Sequence, residues 1–371
     1  MPRTHVVKEC KVKKTARLAQ MQSMFDVAIA DRSREEWDVD LPLEEKDWNI
    51  GVIVGPSGCG KTCIARDLWP KQIAREYDWS HASSVIDDFP KSMTTSEVTR
   101  VLNSVGFSSP PSWVRPYHVL SNGEQFRVRV ARSLTETQDD IIVMDEYSSV
   151  VDRTVAQIGS AAVSKAIKRM KRKFIALSCH YDILEWLEPD WIYEPHKNEF
   201  QWVRLRRPKI ELEICRVHYS AWDIFKKHHY MSAKIHRSAR CYVGIYEGMP
   251  TVFVAFMRFP HAQIRSMWRV HRMVCLPDYQ GLGLASLVTD YISSALKGIE
   301  SRATNNTTHP ALISQYRNSN KWKVMQRGLR GQSRGMNKMK WTIAPWRPIW
   351  SFEYIGPAMP RDEAEKLWNG Q

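Results

Sequence analysis

Eight residues, Gly55-Pro56-Ser57-Gly58-Cys59-Gly60-Lys61-Thr62, constrain this chain more than any other feature. They stand between an apolar run, residues 48–54, that reads as a buried strand, and residues 63–69, which read as a helix. Strand, glycine-rich turn and helix make a P-loop. The glycines let the backbone curl so that its N–H groups and the helix N-terminus surround phosphates. Lys61 is placed to reach the β- and γ-phosphates of a nucleoside triphosphate, and the Thr62 hydroxyl to ligate magnesium. Gly55, Ser57, Gly58, Cys59, Gly60, Lys61 and Thr62 are therefore the expected nucleotide contacts, in an α/β fold.

A second apolar strand ends in Ile141-Ile142-Val143-Met144-Asp145-Glu146. Acids at the carboxyl end of a strand in such a sheet lie beside the nucleotide. Asp145 can join Thr62 in holding magnesium, and Glu146 can polarise the attacking water.

At 371 residues the chain exceeds one ordinary core, so two domains are expected, with a junction near Arg207. Charge divides there. Residues 1–207 hold 30 Lys+Arg against 29 Asp+Glu, and residues 208–371 hold 24 against 11. A near-neutral first half joined to a second half of +13 points to a polyanionic partner, nucleic acid being the usual one; a solvated basic face is the plainer reading. Seven cysteines, odd in number and without Cys-x-x-Cys spacing, argue against a disulfide framework and a zinc site and fit a reducing cytoplasm. Residues 1–17 are basic with no apolar core, and nowhere do eighteen apolar residues run together, so neither export nor a membrane span is expected.

Four further segments occur in an order that resembles ABC-type ATPases. Leu120-Ser121-Asn122-Gly123-Glu124-Gln125-Phe126-Arg127 resembles the family signature, with Asn122 and Glu124 where Gly and Gln are commoner. Ser149-Val150-Val151-Asp152 resembles the D-loop, and Ser178-Cys179-His180 the switch-histidine strand end. The Q-loop would fall near Phe89; it has no glutamine, and Asp87 or Asp88 would substitute. The resemblance implies ATP with Mg2+, catalytic roles for Glu146 and His180, and γ-phosphate contacts from Ser121, Gly123 and Glu124. With one P-loop and one signature per chain, it also implies an ATP-sandwich homodimer. The short stretch between P-loop and signature puts a transporter role last.

From residue 211 short strands alternate: 211–217, a hairpin of 241–247 and 251–257, and 267–276, running into Pro277-Asp278-Tyr279-Gln280-Gly281-Leu282-Gly283-Leu284-Ala285 and a helix to about Leu296. A Gly-x-Gly turn at a helix start again offers backbone N–H groups to an anion. In this context the segment resembles the acetyl-CoA pyrophosphate loop of GNAT acyltransferases, an α+β fold. The resemblance implies an acetyl-CoA or other acyl-CoA site built from Val274, Gln280, Gly281, Leu282, Gly283, Leu284 and Ala285. Tyr316, before an aromatic strand, is either the acid that protonates the leaving thiolate or a packing residue. Candidate bases are His229, His271 and His309. Phe225-Lys226-Lys227-His228-His229-Tyr230-Met231 reads as the first helix region, with His229 and Tyr230 as acceptor contacts. Lys321, Lys323, Arg327, Arg330, Arg334, Lys338 and Lys340, interleaved with Trp322, Trp341, Trp346 and Trp350, suit nucleic-acid bases held single-stranded or flipped out, unless the tryptophans close the sheet.

The order of the two halves resembles ABC-type ATPases fused to a predicted acetyltransferase, found in phages and prokaryotes. That likeness is carried by Met24-Phe25-Asp26, the P-loop, residues 276–283, Thr308-His309-Pro310 and Ser351-Phe352-Glu353-Tyr354. The second half also resembles Mom-type phage DNA-modification proteins. The expectation is an ATPase domain over 1–207 and a GNAT-like domain with a basic extension over 208–371. Together they would modify a base of nucleic acid, DNA in preference to RNA. Acylation of a protein or small-molecule amine, and a clamp whose second domain only binds, are the rivals.

Overall fold

The computed structural model describes residues 3–25, 28, 30–74, 77–137, 139–230, 234–260, 264, 266–329 and 349–370. Of the residues singled out above, Asp26, Met231, Arg330, Arg334, Lys338, Lys340, Trp341 and Trp346 lie outside these, as does the side chain of Arg327. The protein is mixed α/β and divides into two compact units. One comprises residues 1–78 and 132–208, the other residues 79–131 and 209–371.

The first unit opens with an antiparallel pair, β1 (Arg3–Lys11) and β2 (Arg32–Asp40), in register from Arg3↔Asp40 to Lys11↔Arg32. Its main sheet holds β3 (Ile50–Val54), β4 (Ile141–Met144), β5 (Lys173–Ser178), β6 (Trp191–Glu194) and β7 (Glu199–Trp202) in the order β4-β5-β3-β6-β7. The pairs of β3 with β5, β3 with β6 and β4 with β5 are parallel. Continuous apolar runs suit such strands, since both faces are covered, and every residue of β3 is buried. Ile53, Ile64, Trp69, Val143, Ile175 and Trp191 meet in its core.

The second unit is built on a seven-stranded sheet. Its strands are β8 (Glu213–Val217), β9 (Arg240–Tyr246), β10 (Met249–Arg258), β11 (Met267–Cys275), β12 (Arg302–Thr307), β13 (Trp322–Leu329) and β14 (Ile349–Tyr354), in the order β13-β14-β12-β11-β10-β9-β8. Alternation along β10 serves two cores. Val252, Val254 and Phe256 pack with Val288 and Ile292 of the helix Leu284–Gly298, while Phe253 and Ala255 pack with Trp222 and Phe225. Residues 79–131 belong to this unit. Trp79 stacks on Tyr117 with ring centroids 3.9 Å apart, and the helix Thr95–Ser104 starts on a capping box between Thr94 and Glu97.

A β-carbon on Gly51 would lie 2.0 Å from Cζ2 of the buried Trp191, far inside contact distance. Gly51→Ala should therefore lower stability by about 1–3 kcal/mol. A shift of the denaturant midpoint towards lower concentration, followed by tryptophan fluorescence, is the expected result.

Candidate functional site

In the first unit the parallel register places three loops at one edge. Val54 pairs with Ser178 and Met144 with Ala176, so β3 and β5 end in step and β4 ends two residues earlier. Gly55, Asp145-Glu146 and Cys179-His180 therefore emerge at the carboxyl edge of three adjacent strands, where ligands of such sheets bind. Gly58 and Gly60 take φ of +83° and +91°, open to glycine at little cost. Gly60 is also the N-cap of the helix Lys61–Leu68, with no side chain capping it, so donors at the helix start face outward.

Lys61 Nζ donates to Gly55 O at 2.7 Å and Pro56 O at 2.8 Å, folding the ammonium over the turn. Thr62 Oγ1 donates to Asp145 Oδ1 at 3.1 Å, so the two expected magnesium ligands meet. Both are hard oxygen donors, which fits Mg2+; no cluster of three or more His, Cys, Asp or Glu exists among the described residues, so phosphate oxygens and water would complete its shell. Glu146 is exposed at φ +48°, a conformation uncommon for a residue with a β-carbon, and its N–H donates to Asp145 Oδ1. His180 is half-buried, its N–H donating to Ser178 Oγ at 3.1 Å.

One neighbour of the turn escapes sequence reasoning. A β-carbon on Gly60 would lie 2.4 Å from Trp37 Cε2, so the β2 indole rests on the turn itself. No local motif marks Trp37; only the fold brings it there. Asp152 of the D-loop-like segment caps the helix Arg153–Met170 through Thr154 N–H, and Asp87 accepts from Ser84 Oγ at 2.5 Å.

The signature-like segment lies in the second unit. Ser121 and Glu124 form a capping box at the start of the helix Asn122–Glu136: Glu124 N–H donates to Ser121 Oγ, and Ser121 N–H to Glu124 Oε2. Glu124 Oε1 also accepts from Ser112 Oγ at 2.7 Å. The Glu124 carboxylate is thus committed to the helix start and buried, as Gly123 is, while Ser121 is exposed.

The second glycine turn follows β11. Parallel pairing of β11 with β12 covers Met267–Arg269 against Arg302–Thr304, and the two strands run on without partners in each other. The register of β11 against β10 shifts between Ala255 and Phe256, leaving His271 unpaired in it. Val274 turns its side chain into the core, which leaves its backbone as the contact it can offer. Gly281 at φ +103° and Gly283 at φ +82° precede the helix Leu284–Gly298, and Gly283 is an N-cap without a side-chain cap. Gln280 spends its amide on protein: Nε2 donates to Cys275 O at 3.0 Å and Oε1 accepts from Ser108 N–H at 2.8 Å. Leu284 is buried and Leu282 packs at the core margin, while Ala285 O accepts from Thr289 Oγ1.

Two of the three candidate bases lie against one tyrosine, and the third lies within electrostatic reach of His229. The Tyr230 ring lies 5.4 Å from His229 and 6.0 Å from His309, and the charge of His229 acts on His271. Burial, with Arg272, His236 and His229 adding to it, lowers His271 to about 4. Burial also lowers His309, whose Nδ1 has no hydrogen-bond partner. Both rings are neutral at pH 7 and able to take a proton. Three expectations meet a different arrangement. The expected helix around His229 stops early: Trp222–Phe225 is helical, Lys226–His228 is a single tighter turn, and His229 is extended. Tyr316 is 1% exposed, packed on Trp322 and Phe352, and accepts from Asn305 Nδ2 at 3.0 Å; burial pushes its hydroxyl pKa up. Trp322, expected among stacking surfaces, is buried and donates to Asp290 Oδ1, whereas Trp350 stays half-exposed beneath Arg317.

No protein-family model matches the sequence, and no curated protein matches it. Among solved structures, the chain is similar to the dimeric bacterial ABC transporter cassette MJ0796, at 14% identity and a TM-score of 0.37, over 46% of this chain and 93% of that one. It is similar to the same cassette in a post-hydrolysis state bound to ADP and Pi, at 12% identity and a TM-score of 0.39, over 54% and 98%. An IAA acetyltransferase from Bacillus cereus ATCC 14579 is similar at 11% identity and a TM-score of 0.30, over 39% of this chain and 99% of that one. Likenesses this distant carry nothing about activity.

Proposed function

We propose that the protein binds and hydrolyses ATP as an ABC-type homodimer and transfers an acyl group from acyl-CoA to an amine of a nucleic-acid base. The observation that carries the reading is the repeated device: in each unit a strand breaks into a glycine turn, and a helix starts on a left-handed glycine with no side-chain cap. Each is an anion site made of backbone donors. The first would hold the triphosphate, with Lys61 on the β- and γ-phosphates, Glu146 polarising water and His180 beside it. Thr62 and Asp145 would hold magnesium, which would neutralise charge on the transferred phosphoryl group. Trp37 offers a stacking face beside that turn.

The second turn would hold the pyrophosphate of acyl-CoA on Gly281, Leu282, Gly283, Leu284 and Ala285, with the acyl arm along the unpaired edge of β11 near Val274. The amine nitrogen attacks the thioester carbonyl carbon, the C–N bond forms and the C–S bond breaks. The amine proton would pass to one of His229, His271 and His309, and the departing CoA thiolate would take a proton from water. The excess of cations over residues 208–371 supplies the attraction for a polyanion. One observation favours a second reading, a nucleic-acid clamp with a non-catalytic second unit: Tyr316, which the sequence leaves as either the acid or a packing residue, is a core residue.

Nucleoside mass spectrometry of DNA and RNA from cells with and without the gene tests the first reading. A modified nucleoside lost in Gly283→Asp is expected, and identical profiles in both polymers would sink it. ATP turnover should fall at least about a hundredfold in Glu146→Gln, as loss of a general base does, in steady-state phosphate release.

His271 gives a pH signature. Its folded pKa lies below the unfolded value, so the unfolded chain binds the extra proton. The stability it contributes is intact above about 6.5 and is lost as pH falls towards 4. Its ring signal in proton NMR should stay unshifted from pH 7.5 to 5.5. If His271 is the base, the acid limb of kcat/KM for acyl transfer falls near 4 rather than near 6.5.

A further inference from the structure

The turn assigned to acyl-CoA is held from behind by residues 106–127, and the strongest hold comes from one buried cation. Arg127 is 1% exposed. Its Nη1 donates to Gly106 O at 3.1 Å and also to Pro277 O, and its Nη2 donates to Asp278 O at 3.0 Å. Its Nε has no partner, and no carboxylate lies within ion-pair distance of it among the described residues. Burial lowers its pKa to about 10, against the opposing pull of Asp278, Cys275 and Glu124. Two positions beyond Asp278, Gln280 accepts from Ser108 N–H and donates to Cys275 O. Trp113 and His309 bring a second point of contact, their rings 6.0 Å apart.

Taking an unneutralised guanidinium out of water is costly. Carbonyl dipoles alone compensate it in part, and Arg127 is spent on the chain just ahead of Gly281 and Gly283. An anion on that turn would add to the countercharge of Asp278 and Glu124 in a medium of low dielectric, where such attraction is strong. A planar five-donor fork also holds the carbonyls of Gly106, Pro277 and Asp278 in one fixed geometry from two nitrogens, whereas a lysine ammonium offers three rotating donors on one nitrogen.

We propose that Arg127 is a positioning residue of the acyl-CoA turn, setting its shape and making it selective for a pyrophosphate group. The proposal rests on the acyl-CoA reading given above. It assigns a residue of the signature-like helix to the second anion site.

The test compares CoA with pantetheine, which lacks the pyrophosphate, by ligand-observed NMR on the full chain carrying Lys61→Ala, so that the P-loop does not compete for the nucleotide part of CoA. Arg127→Met should weaken CoA by about tenfold, the loss of one charge-assisted interaction, and leave pantetheine within about twofold. Arg127→Lys should recover part of the preference. Equal losses for both ligands, or no loss for either, would overturn the positioning role while leaving the acyl-CoA reading in place. Binding of neither ligand by Lys61→Ala alone would overturn both. Should Arg127→Met fail to fold, hydrogen exchange on the chain with Arg127 intact decides. CoA, and not pantetheine, should slow exchange at residues 106–108 together with 276–285, and protection confined to 281–285 would refute the proposal.

Discussion

Both candidate sites depend on backbone N–H groups at helix starts that no side chain caps among the described residues. Three other helix starts are closed by the chain itself: Thr94, Ser121 and Asp152 each accept from the first turn. The helices at Lys61 and Leu284 instead begin on Gly60 and Gly283 at φ +91° and +82°. An ordinary residue in those conformations is strained, and a serine or aspartate there would fold back on the donors and fill the place a phosphate takes. At Gly60 the demand is double, because Trp37 leaves no room for a β-carbon.

What surrounds each turn follows from strand register. In the first unit parallel pairing is what matters: Val54 and Ser178 end in step and Met144 lies opposite Ala176, so Thr62 meets Asp145 while His180 emerges on the strand between them. In the second unit the absence of pairing matters. β11 and β12 share a ladder over three residues each, and the rest of β11 keeps an edge free of β12, with His271 set apart from the ladder on its other side. A ladder continued to Val274 would leave the backbone nothing to offer an acyl arm.

Legibility from sequence tracked the range of the interaction. The P-loop, the acids after β4 and the turn after β11 are local patterns, in which a strand, a few glycines and a helix lie within about twenty residues, the span of one supersecondary unit. Trp37 and the histidines around Tyr230 are not local. They are assembled by a hairpin that closes at Lys11↔Arg32 over the 20 intervening residues 12–31, and by rings drawn from residues 229 to 309. Residues 79–131 were the hardest to place. They lie in sequence between the P-loop and Asp145, yet they pack with residues 209–371, and nothing in their own pattern announces it. Tyr316 shows the limit from the other side: sequence left acid and packing residue equal, and burial against Trp322 and Phe352 describes the second.

The departure of the signature-like segment from the pattern it resembles has a physical sense. A glutamate in place of glutamine at position 124 serves as the reciprocal half of a capping box, taking Ser121 N–H while Ser112 supplies a further donor. That fixes the first turn of the helix, and with it the direction in which the next turn points. Arg127 lies three residues on, close to one turn from Glu124 and so on the same side of the helix. The acid that organises the helix start therefore also stands near the buried guanidinium and is among the charges that keep it protonated. Replacing Glu124 by a neutral glutamine would preserve much of the cap and remove that support, so the cost of burying Arg127 would rise. Glu124 in this sense serves a helix that also carries a cation into the interior of the second unit.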